Sequence, residues 1–211
     1  MAKLSITGKI INLDESEILF KDDFNNNADN AGWVKTGNIS TTIKNGEIEL
    51  KWQPGNSLNH GQIFSEQVFP SDVVLEFEVE TVPPSDHDII WWWNAQMDQP
   101  ATDWDNGYLA ALGGWFTNQA GVEKISKTGR CQTARTPLFR LESGRNYKVQ
   151  SGRIGDTSFL FVDDKLIVEF QETEKINDSC GRIGFGVYQS HFKVKRLKVF
   201  RPKFETVKLI Y

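Results

Sequence analysis

Short runs of β-branched and aromatic residues recur along this chain at intervals of about ten residues, separated by Gly, Asn, Asp and Pro. Segments with the hydrophobic period of a helix, about 3.6 residues, are scarce. The best of them, residues 172–176, is long enough for one short helical turn. Many strands at this spacing, without helices between them, are typical of two antiparallel sheets packed face to face. The sequence therefore predicts an all-β sandwich.

Two hairpins are the most specific local patterns. Asn45 and Gly46 lie between two alternating segments, and an Asn-Gly pair in that position favours a primed two-residue turn. Asp163, Asp164 and Lys165 form a second, polar turn. The predicted strands are residues 39–43, 47–52, 62–69, 73–82, 88–94, 108–116, 122–126, 147–153, 158–162, 166–170, 181–188 and 192–200.

The length of 211 residues indicates a single domain over residues 1–211, with a short C-terminal extension at about 202–211 that forms an edge strand or an oligomer contact. The 28 acidic and 24 basic residues leave a formal net charge of −4, a poor match to the phosphates of nucleic acid. The sequence contains no signal-peptide core and no window with the ~20 apolar residues of a membrane span. We expect a cytoplasmic protein that binds neither nucleic acid nor membrane, and a homo-oligomer is left open.

Metal-binding patterns are weak. Cys131 and Cys180 have neither the spacing of a metal site nor a disulfide framework, and we expect two buried thiols. Residues 23–29 carry alternating Asp and Asn as in a calcium loop, but Ala28 and Val34 stand where an EF-hand needs Gly and Glu. We predict no metal site and no cofactor, and leave a structural calcium ion elsewhere open.

The densest aromatic feature is the run of residues 86–94, which contains three consecutive tryptophans. In a strand, alternation would put Asp88, Ile90, Trp92 and Asn94 on one face and His87, Ile89, Trp91 and Trp93 on the other. A carboxylate and an amide are costly in an apolar core, so we assign Asp88, Trp92 and Asn94 to a cleft. An aromatic plane flanked by Asp and Asn suits a sugar ring. In the alternative interpretation, all three tryptophans fill the core.

Other candidate residues follow from loops and strand ends. Asp105 precedes an Asn-Gly turn that leads to Tyr108 and Trp115, a polar and aromatic element of the kind found in binding sites. Residues 128–136 form a predicted loop rich in donors, in which the planar forks of Arg130 and Arg135 suit a carboxylate such as that of a uronic acid. The three histidines, too far apart for a local metal motif, are His60, His87 and His191.

Three carboxylates alternate with apolar residues in one predicted strand, at Glu76, Glu78 and Glu80. Same-face neighbours on a strand are about 6.6–6.8 Å apart, which is compatible with the carboxyl spacing of glycosidases. A solvated charged face explains the pattern more simply, and we predict that face.

The order of several short motifs resembles the YesU-like family of bacterial proteins and the broader group of keto-disaccharide hydrolase-like domains. The motifs are Asp22-Asp23-Phe24, Trp33, Asn45-Gly46, Asn59-His60-Gly61, residues 68–74, Gly129-Arg130-Cys131-Gln132 with Arg135, residues 146–149, residues 161–165, and residues 181–185 followed by 194–199. The similarity covers most of residues 18–200. It implies a concanavalin A-like, two-sheet antiparallel jelly-roll sandwich and a place in bacterial carbohydrate utilisation, without supplying a reaction.

The leading hypothesis is a carbohydrate-active enzyme that cleaves glycosidic bonds in small oligosaccharides or modified glycosides, by elimination or by hydrolysis. Elimination would use His60 or Tyr188 as base or acid, with Arg135 and Arg130 stabilising the enolate. Hydrolysis would use Asp88 with Asp105 or with a glutamate on a neighbouring strand. The residues assigned to substrate binding are His87, Trp92, Asn94, Asp105, Tyr108, Trp115, Arg130 and His191.

Two other hypotheses remain open because a fold does not determine a function. The first is a non-catalytic, lectin-like carbohydrate-binding domain. The second is an assembly partner that uses the terminal segment.

Overall fold

The computed structural model describes residues 3–25, 32–55, 58–96, 106–126, 129–173 and 180–207, with backbone alone at 126 and 129–132. These residues form strands and turns, and none of them is helical. The strands are β1 (Lys3–Ile6), β2 (Lys9–Asp22), β3 (Trp33–Gly37), β4 (Ile39–Lys44), β5 (Glu47–Trp52), β6 (His60–Ser65), β7 (Val73–Thr81), β8 (Ile89–Gln96), β9 (Asn106–Gly114), β10 (Gln119–Ser126), β11 (Gly129–Thr136), β12 (Tyr147–Ile154), β13 (Thr157–Val162), β14 (Lys165–Gln171), β15 (Arg182–Tyr188) and β16 (His191–Thr206).

The strands build two antiparallel sheets that pack face to face, which confirms the predicted sandwich. Sheet I has the order β1-β2-β16-β7-β12-β13-β14, and β5 also pairs with β16 while β4 pairs with β5. Sheet II has the order β11-β10-β9-β8-β15-β6-β3. Strands distant in sequence are therefore neighbours, as β15 and β8 are in sheet II.

The main core lies between the sheets and is formed by the side chains that point from each strand toward the facing sheet. Trp91 and Trp93 of β8 are fully buried there, as the alternation predicts. The Trp91 indole N–H donates to the Ser151 hydroxyl at 2.6 Å. The Trp93 ring lies parallel to the Tyr108 ring with centroids 5.8 Å apart. These aromatic contacts join β8 both to sheet I and to its neighbour β9.

The two predicted hairpin turns are confirmed. Asn45 and Gly46 have φ of 55° and 78°, and they join β4 to β5. Asp163 and Asp164 have φ of 50° and 61°, and they join β13 to β14. Positive φ at both central residues is the signature of a primed turn, which matches the twist of the flanking strands.

The outer face of sheet I is a charged surface, as predicted for the alternating carboxylates of β7. Each carboxylate pairs with a cation of β16: Glu76 with Lys198 at 3.2 Å, Glu78 with Arg196 at 2.5 Å and Glu80 with Lys195 at 3.4 Å. Exposed pairs of this kind contribute about 0–1 kcal/mol each. These glutamates lie on the sheet opposite to the candidate site described below.

Several local predictions are wrong or incomplete. The segment 129–136 is strand β11 at the edge of sheet II rather than a loop, because pairing with β10 overrides its polar composition. The strands β1, β2 and β3 were not predicted. The hairpin β1–β2 buries Leu4, Ile6 and Ile11 in a second apolar cluster with Phe200.

The prediction for the thiols also changes. Cys180 is exposed rather than buried, and the side chain of Cys131 lies outside the described residues. Residues 202–206 continue β16 and pair with β2. Glu172 follows β14 without a helical turn, and residues 174–176 lie outside the described part of the chain.

Candidate functional site

A cleft of about 460 Å³ opens on the outer face of sheet II, and we call it the main cleft. Its lining consists of Asp88, Ile90, Leu109, Ala111, Gly114, Trp115, Phe116, Glu123, Ile125, Arg135 and Tyr188. The depression follows from strand register. Ile90 of β8 faces Ala111 of β9 on one side and Gly186 of β15 on the other. Because Ala111 and Gly186 are small, the positions on either side of Ile90 leave room above the sheet.

Asp88, immediately before β8, is the most perturbed group in the main cleft. Its residue is 9% exposed, and burial raises the pKa of its carboxyl from the usual 3.8 to about 6, opposed only by the charge of His87. No N–H or O–H group of the described residues donates a hydrogen bond to this carboxyl. The Asp88 carbonyl accepts from the Ser190 hydroxyl at 2.8 Å, which holds the backbone in place.

Trp115, Glu123 and Arg135 form a stacked group in the main cleft. The Trp115 indole N–H donates to Glu123 Oε2 at 3.4 Å, and the Thr133 hydroxyl donates to Glu123 Oε1 at 3.3 Å. The Arg135 guanidinium lies over the Trp115 ring, 5.9 Å from its centroid. Glu123 thus positions the ring on which Arg135 rests.

A second cavity of about 310 Å³, the side cavity, adjoins the main cleft. The two share Asp88, Phe116 and Tyr188. Phe116 is 88% exposed, and its ring meets the Tyr188 ring edge to face with centroids 5.8 Å apart. His87 lines the side cavity, where its Nδ1 lies 2.9 Å from Asp86 Oδ1. Asp88 and Tyr188 therefore stand where the two spaces meet.

Left-handed backbone is concentrated around these two cavities. The non-glycine residues with positive φ that line them are Asp88, Trp115, Phe116, Asn118 and Gln189. Each such residue costs on the order of 1–3 kcal/mol and persists only where surrounding contacts hold it. Asn118 supplies such contacts, since its side chain binds both the N–H and the carbonyl of Leu141. Strain of this kind clusters at functional sites.

The structure brings three of the four predicted catalytic residues together, because Asp88, Arg135 and Tyr188 all line the main cleft. The fourth, His60, pairs with Tyr188 across β6 and β15 and shares its side of sheet II, although it does not line the cleft. Direct cross-strand partners have Cβ atoms about 4.5–5.5 Å apart. The catalytic roles of these residues stay predictions.

The predicted substrate-binding residues divide into three groups. Trp115 lines the main cleft and His87 the side cavity. Asp105 and the side chain of Arg130 lie outside the described residues. The others do not reach either cavity, for different physical reasons.

Trp92 and Asn94 lie on the predicted face but are buried. Trp92 is 0% exposed in an apolar cluster with Phe64 and Leu109 on the same face of sheet II, and it does not line the main cleft. Asn94 sits in a bulge with φ of 52°, and neither polar atom of its side chain has a hydrogen-bond partner among the residues that the structure describes. A sugar ring in the main cleft would contact neither residue.

Tyr108 and His191 belong elsewhere. Tyr108 faces the core between the sheets, where its hydroxyl donates to Glu172 at 2.6 Å. His191 lies on sheet I, with Nε2 2.7 Å from Glu49 Oε1. The assignment of both to substrate binding is corrected by these positions.

Replacing His191 by Ala is a direct check of that correction. The Glu49–His191 pair is partly exposed, so we expect a loss of less than about 1 kcal/mol in the free energy of unfolding. We also expect unchanged ligand binding, measured by calorimetry with any ligand that the wild-type chain binds. Weakened binding without loss of stability would return His191 to the site.

Sequence reasoning missed Glu123 and Phe116. Glu123 lies in the predicted strand 122–126, where a carboxylate within an apolar alternation is a usable signal. Phe116 ends the predicted strand 108–116. Its exposure depends on a turn with two consecutive left-handed aromatic residues, for which the sequence has no recognisable signature.

No group of three or more His, Cys, Asp or Glu side chains in the described ranges is placed to hold a metal ion. Within the same ranges there is also no helix with the length and hydropathy of a membrane span.

No protein-family model matches the chain, and no curated protein matches it. Solved structures do match. A Bacillus subtilis protein of unknown function with a galectin-like fold has a TM-score of 0.72 at 11% identity, covering 88% of this chain and 96% of that one. The endo-beta-1,3-glucanase of Pyrococcus furiosus has a TM-score of 0.63 at 12% identity, covering 98% and 100%.

A third match is the carbohydrate binding module CBM66 of Bacillus subtilis, with a TM-score of 0.59 at 17% identity, covering 80% of this chain and 95% of that one. At these identities the likeness establishes the fold alone. The chain is a jelly-roll sandwich of the galectin-like and concanavalin A-like kind.

Proposed function

We propose that the main cleft binds a small oligosaccharide or modified glycoside and that Asp88 acts as the proton donor in hydrolysis of a glycosidic bond. The observation that carries this proposal is the Asp88 carboxyl, buried where the main cleft and the side cavity meet, with its pKa raised to about 6. A carboxyl with a pKa in this range can remain protonated near neutral pH and serve as a general acid. The glucanase and the carbohydrate-binding module of similar fold support the substrate class by analogy.

Hydrolysis needs a second carboxyl, and Glu123 is the candidate within the main cleft. In most glycosidases one carboxyl protonates the leaving oxygen while the other acts as nucleophile or activates water. Trp115, Phe116 and Tyr188 offer aromatic surfaces on which the apolar face of a sugar ring can pack. Glu123 replaces Asp105 as the partner of Asp88 in this proposal.

Elimination is the second candidate reaction. It is favoured by the presence of Tyr188 and Arg135 in the same cleft, with His60 opposite Tyr188. A tyrosine or histidine base would remove the proton beside a carboxyl group, and the arginine would stabilise the resulting enolate. Collapse of the enolate would form a carbon–carbon double bond and break the glycosidic bond, and the leaving oxygen would take up a proton. A non-catalytic binding domain is the alternative outside enzymes.

The pH dependence of turnover separates the two reactions. Hydrolysis requires protonated Asp88, so kcat/KM should decline as the pH rises through about 6. Elimination by a tyrosine or histidine base should instead accelerate as the pH rises. We would measure kcat/KM from pH 4 to 9 across a panel of oligosaccharides, detecting reducing ends and ultraviolet-absorbing unsaturated products separately.

The Tyr188→Phe variant provides a matched check, because it keeps the ring against Phe116 and removes only the hydroxyl. Elimination should be lost, whereas hydrolysis should stay within about tenfold of the wild-type rate. Binding by the wild-type chain without either product would favour the carbohydrate-binding domain, and the absence of binding would refute the site. The relation to YesU-like proteins, a structural calcium ion and a cytoplasmic location stay predictions from the sequence.

A further inference from the structure

Arg135 differs from the other arginines whose side chains the structure describes. Those arginines all bind carboxylate or carbonyl oxygens of the chain itself, namely Arg140, Arg145, Arg153, Arg182, Arg196 and Arg201. Arg135 binds none within the described part of the chain; its guanidinium contacts the Trp115 ring. An arginine exposed in the main cleft without an oxygen partner is available to a ligand.

The contact with Trp115 leaves the N–H donors of Arg135 without an oxygen acceptor in the described part of the chain. The guanidinium carbon lies 5.9 Å from the ring centroid, within the range of a cation–π attraction, which does not use an N–H group as a hydrogen-bond donor to oxygen. The ring itself is held by the hydrogen bond from the Trp115 indole to Glu123. The Arg135 fork is therefore positioned before a ligand arrives, which lowers the entropy lost on binding.

Strand register makes Arg135 and Glu123 diagonal neighbours on the same face of sheet II. Arg135 faces Gly121 on β10, whereas Glu123 faces Thr133. A Cβ atom at Gly121 would lie 2.7 Å from the Arg135 Cβ, so only glycine permits this approach. Glu123 in turn accepts hydrogen bonds from Trp115 and Thr133. In the described part of the chain the Arg135 guanidinium contacts the Trp115 ring and forms no ion pair with Glu123.

We propose that the ligand of the main cleft is an anionic oligosaccharide, whose uronic acid carboxylate is bound by Arg135. The five N–H donors of a guanidinium match the two oxygens of a planar carboxylate, whereas a neutral hydroxyl uses a single donor. This inference rests on the proposed function of the main cleft, since it names the substrate class of that site. A sulfated sugar would present a related anion, and the test below separates the two.

The test is binding calorimetry at pH 7 on the full chain. The probes are trisaccharides of galacturonate, glucuronate and mannuronate, each paired with its carboxyl-reduced neutral form, and a sulfated neutral trisaccharide. We expect at least one uronate to bind at least tenfold more tightly than its neutral form. Arg135→Gln should remove that preference, and Arg135→Lys should restore part of it, because lysine keeps the charge without the fork.

The matched control is Arg196→Gln, an exposed arginine on sheet I that pairs with Glu78. It should leave uronate binding within twofold of the wild type. The inference is overturned if the Arg135→Gln variant binds uronates like the wild type, if neutral forms bind equally well, if no uronate binds, or if the sulfated sugar binds more tightly.

These results also separate this inference from the proposed function. Uronate binding that depends on Arg135, without any cleavage, would support the anionic ligand and refute the enzyme. If the wild type cleaves neutral glycans and the Arg135→Gln variant cleaves them equally well, the result would support the enzyme and refute the anionic ligand.

Discussion

The Asp88→Asn variant is expected to lose turnover and to gain stability at neutral pH. General acid catalysis by a positioned side chain contributes about 10²–10⁴-fold to a rate, and an amide at this position cannot donate the proton of a carboxylic acid. We therefore expect kcat/KM to fall by about that factor on any glycoside that the wild-type chain hydrolyses. Retained turnover would remove Asp88 from the proposed mechanism.

The stability gain follows from the raised pKa of Asp88. Between about pH 4 and pH 6 the folded chain holds a proton on Asp88 that the unfolded chain has released, so the free energy of unfolding falls as the pH rises. Above pH 6 the whole cost of burying the ionised carboxylate is present. At about 1.4 kcal/mol per pKa unit, the rise from 3.8 to about 6 corresponds to roughly 3 kcal/mol.

Asparagine carries no charge to bury, so the Asp88→Asn variant should avoid this cost. We expect it to be about 2–3 kcal/mol more stable than the wild type at pH 8 and to lose that advantage near pH 4. Urea unfolding at both pH values measures the difference. Equal stability of variant and wild type at pH 8 would show that burial does not raise the Asp88 pKa.

Asp164→Asn is the matched control for this experiment. Asp164 also has left-handed backbone, with φ of 61°, but its side chain is exposed in the β13–β14 turn and pairs with Lys148. The same chemical change in the same backbone conformation should alter the free energy of unfolding by less than about 1 kcal/mol at either pH. Turnover should not change.

Glu172 is the site of the second large effect, which concerns the core. Its carboxylate lies between the sheets, where Lys124 Nζ is 3.0 Å from Oε2, Arg153 Nε is 3.2 Å from Oε1 and the Tyr108 hydroxyl donates at 2.6 Å. All three ionised groups are almost completely buried. Removing one partner of a buried ion pair leaves an uncompensated charge and typically costs about 3–5 kcal/mol.

We therefore expect Glu172→Gln to lower the free energy of unfolding by about 3–5 kcal/mol, measured by urea unfolding at pH 7. The dependence of that free energy on urea concentration should change little. Glu17→Gln is the control, because Glu17 pairs with Arg201 on the exposed surface and should contribute less than about 1 kcal/mol. Should Glu172→Gln fail to fold, Tyr108→Phe removes the hydroxyl that donates to the Glu172 carboxylate and should cost about 1.5–3 kcal/mol. A loss of under 1 kcal/mol for Glu172→Gln would contradict a structural role for this group.

The candidate site was only partly predictable. Alternation correctly divided residues 89–93, because a strand places successive side chains on opposite faces and each tryptophan followed that rule. Face assignment does not determine exposure, however. Trp92 lies on the side of the main cleft but is 0% exposed in an apolar cluster with Phe64 and Leu109, so it cannot stack on a sugar there. The same limit applies to Asn94.

The sequence by itself determined the all-β class, the primed Asn45-Gly46 turn, the polar turn at Asp163 and Asp164, the inward tryptophans and the solvated glutamates of β7, because each depends on local periodicity or turn chemistry. Tertiary structure alone decided that Glu172 meets Lys124 and Arg153, and that Asp88 shares a cleft with Arg135. Those residues lie on or next to different strands, and their proximity and burial depend on how the sheets are ordered. A buried carboxyl acquires its pKa from that packing rather than from its neighbours in sequence.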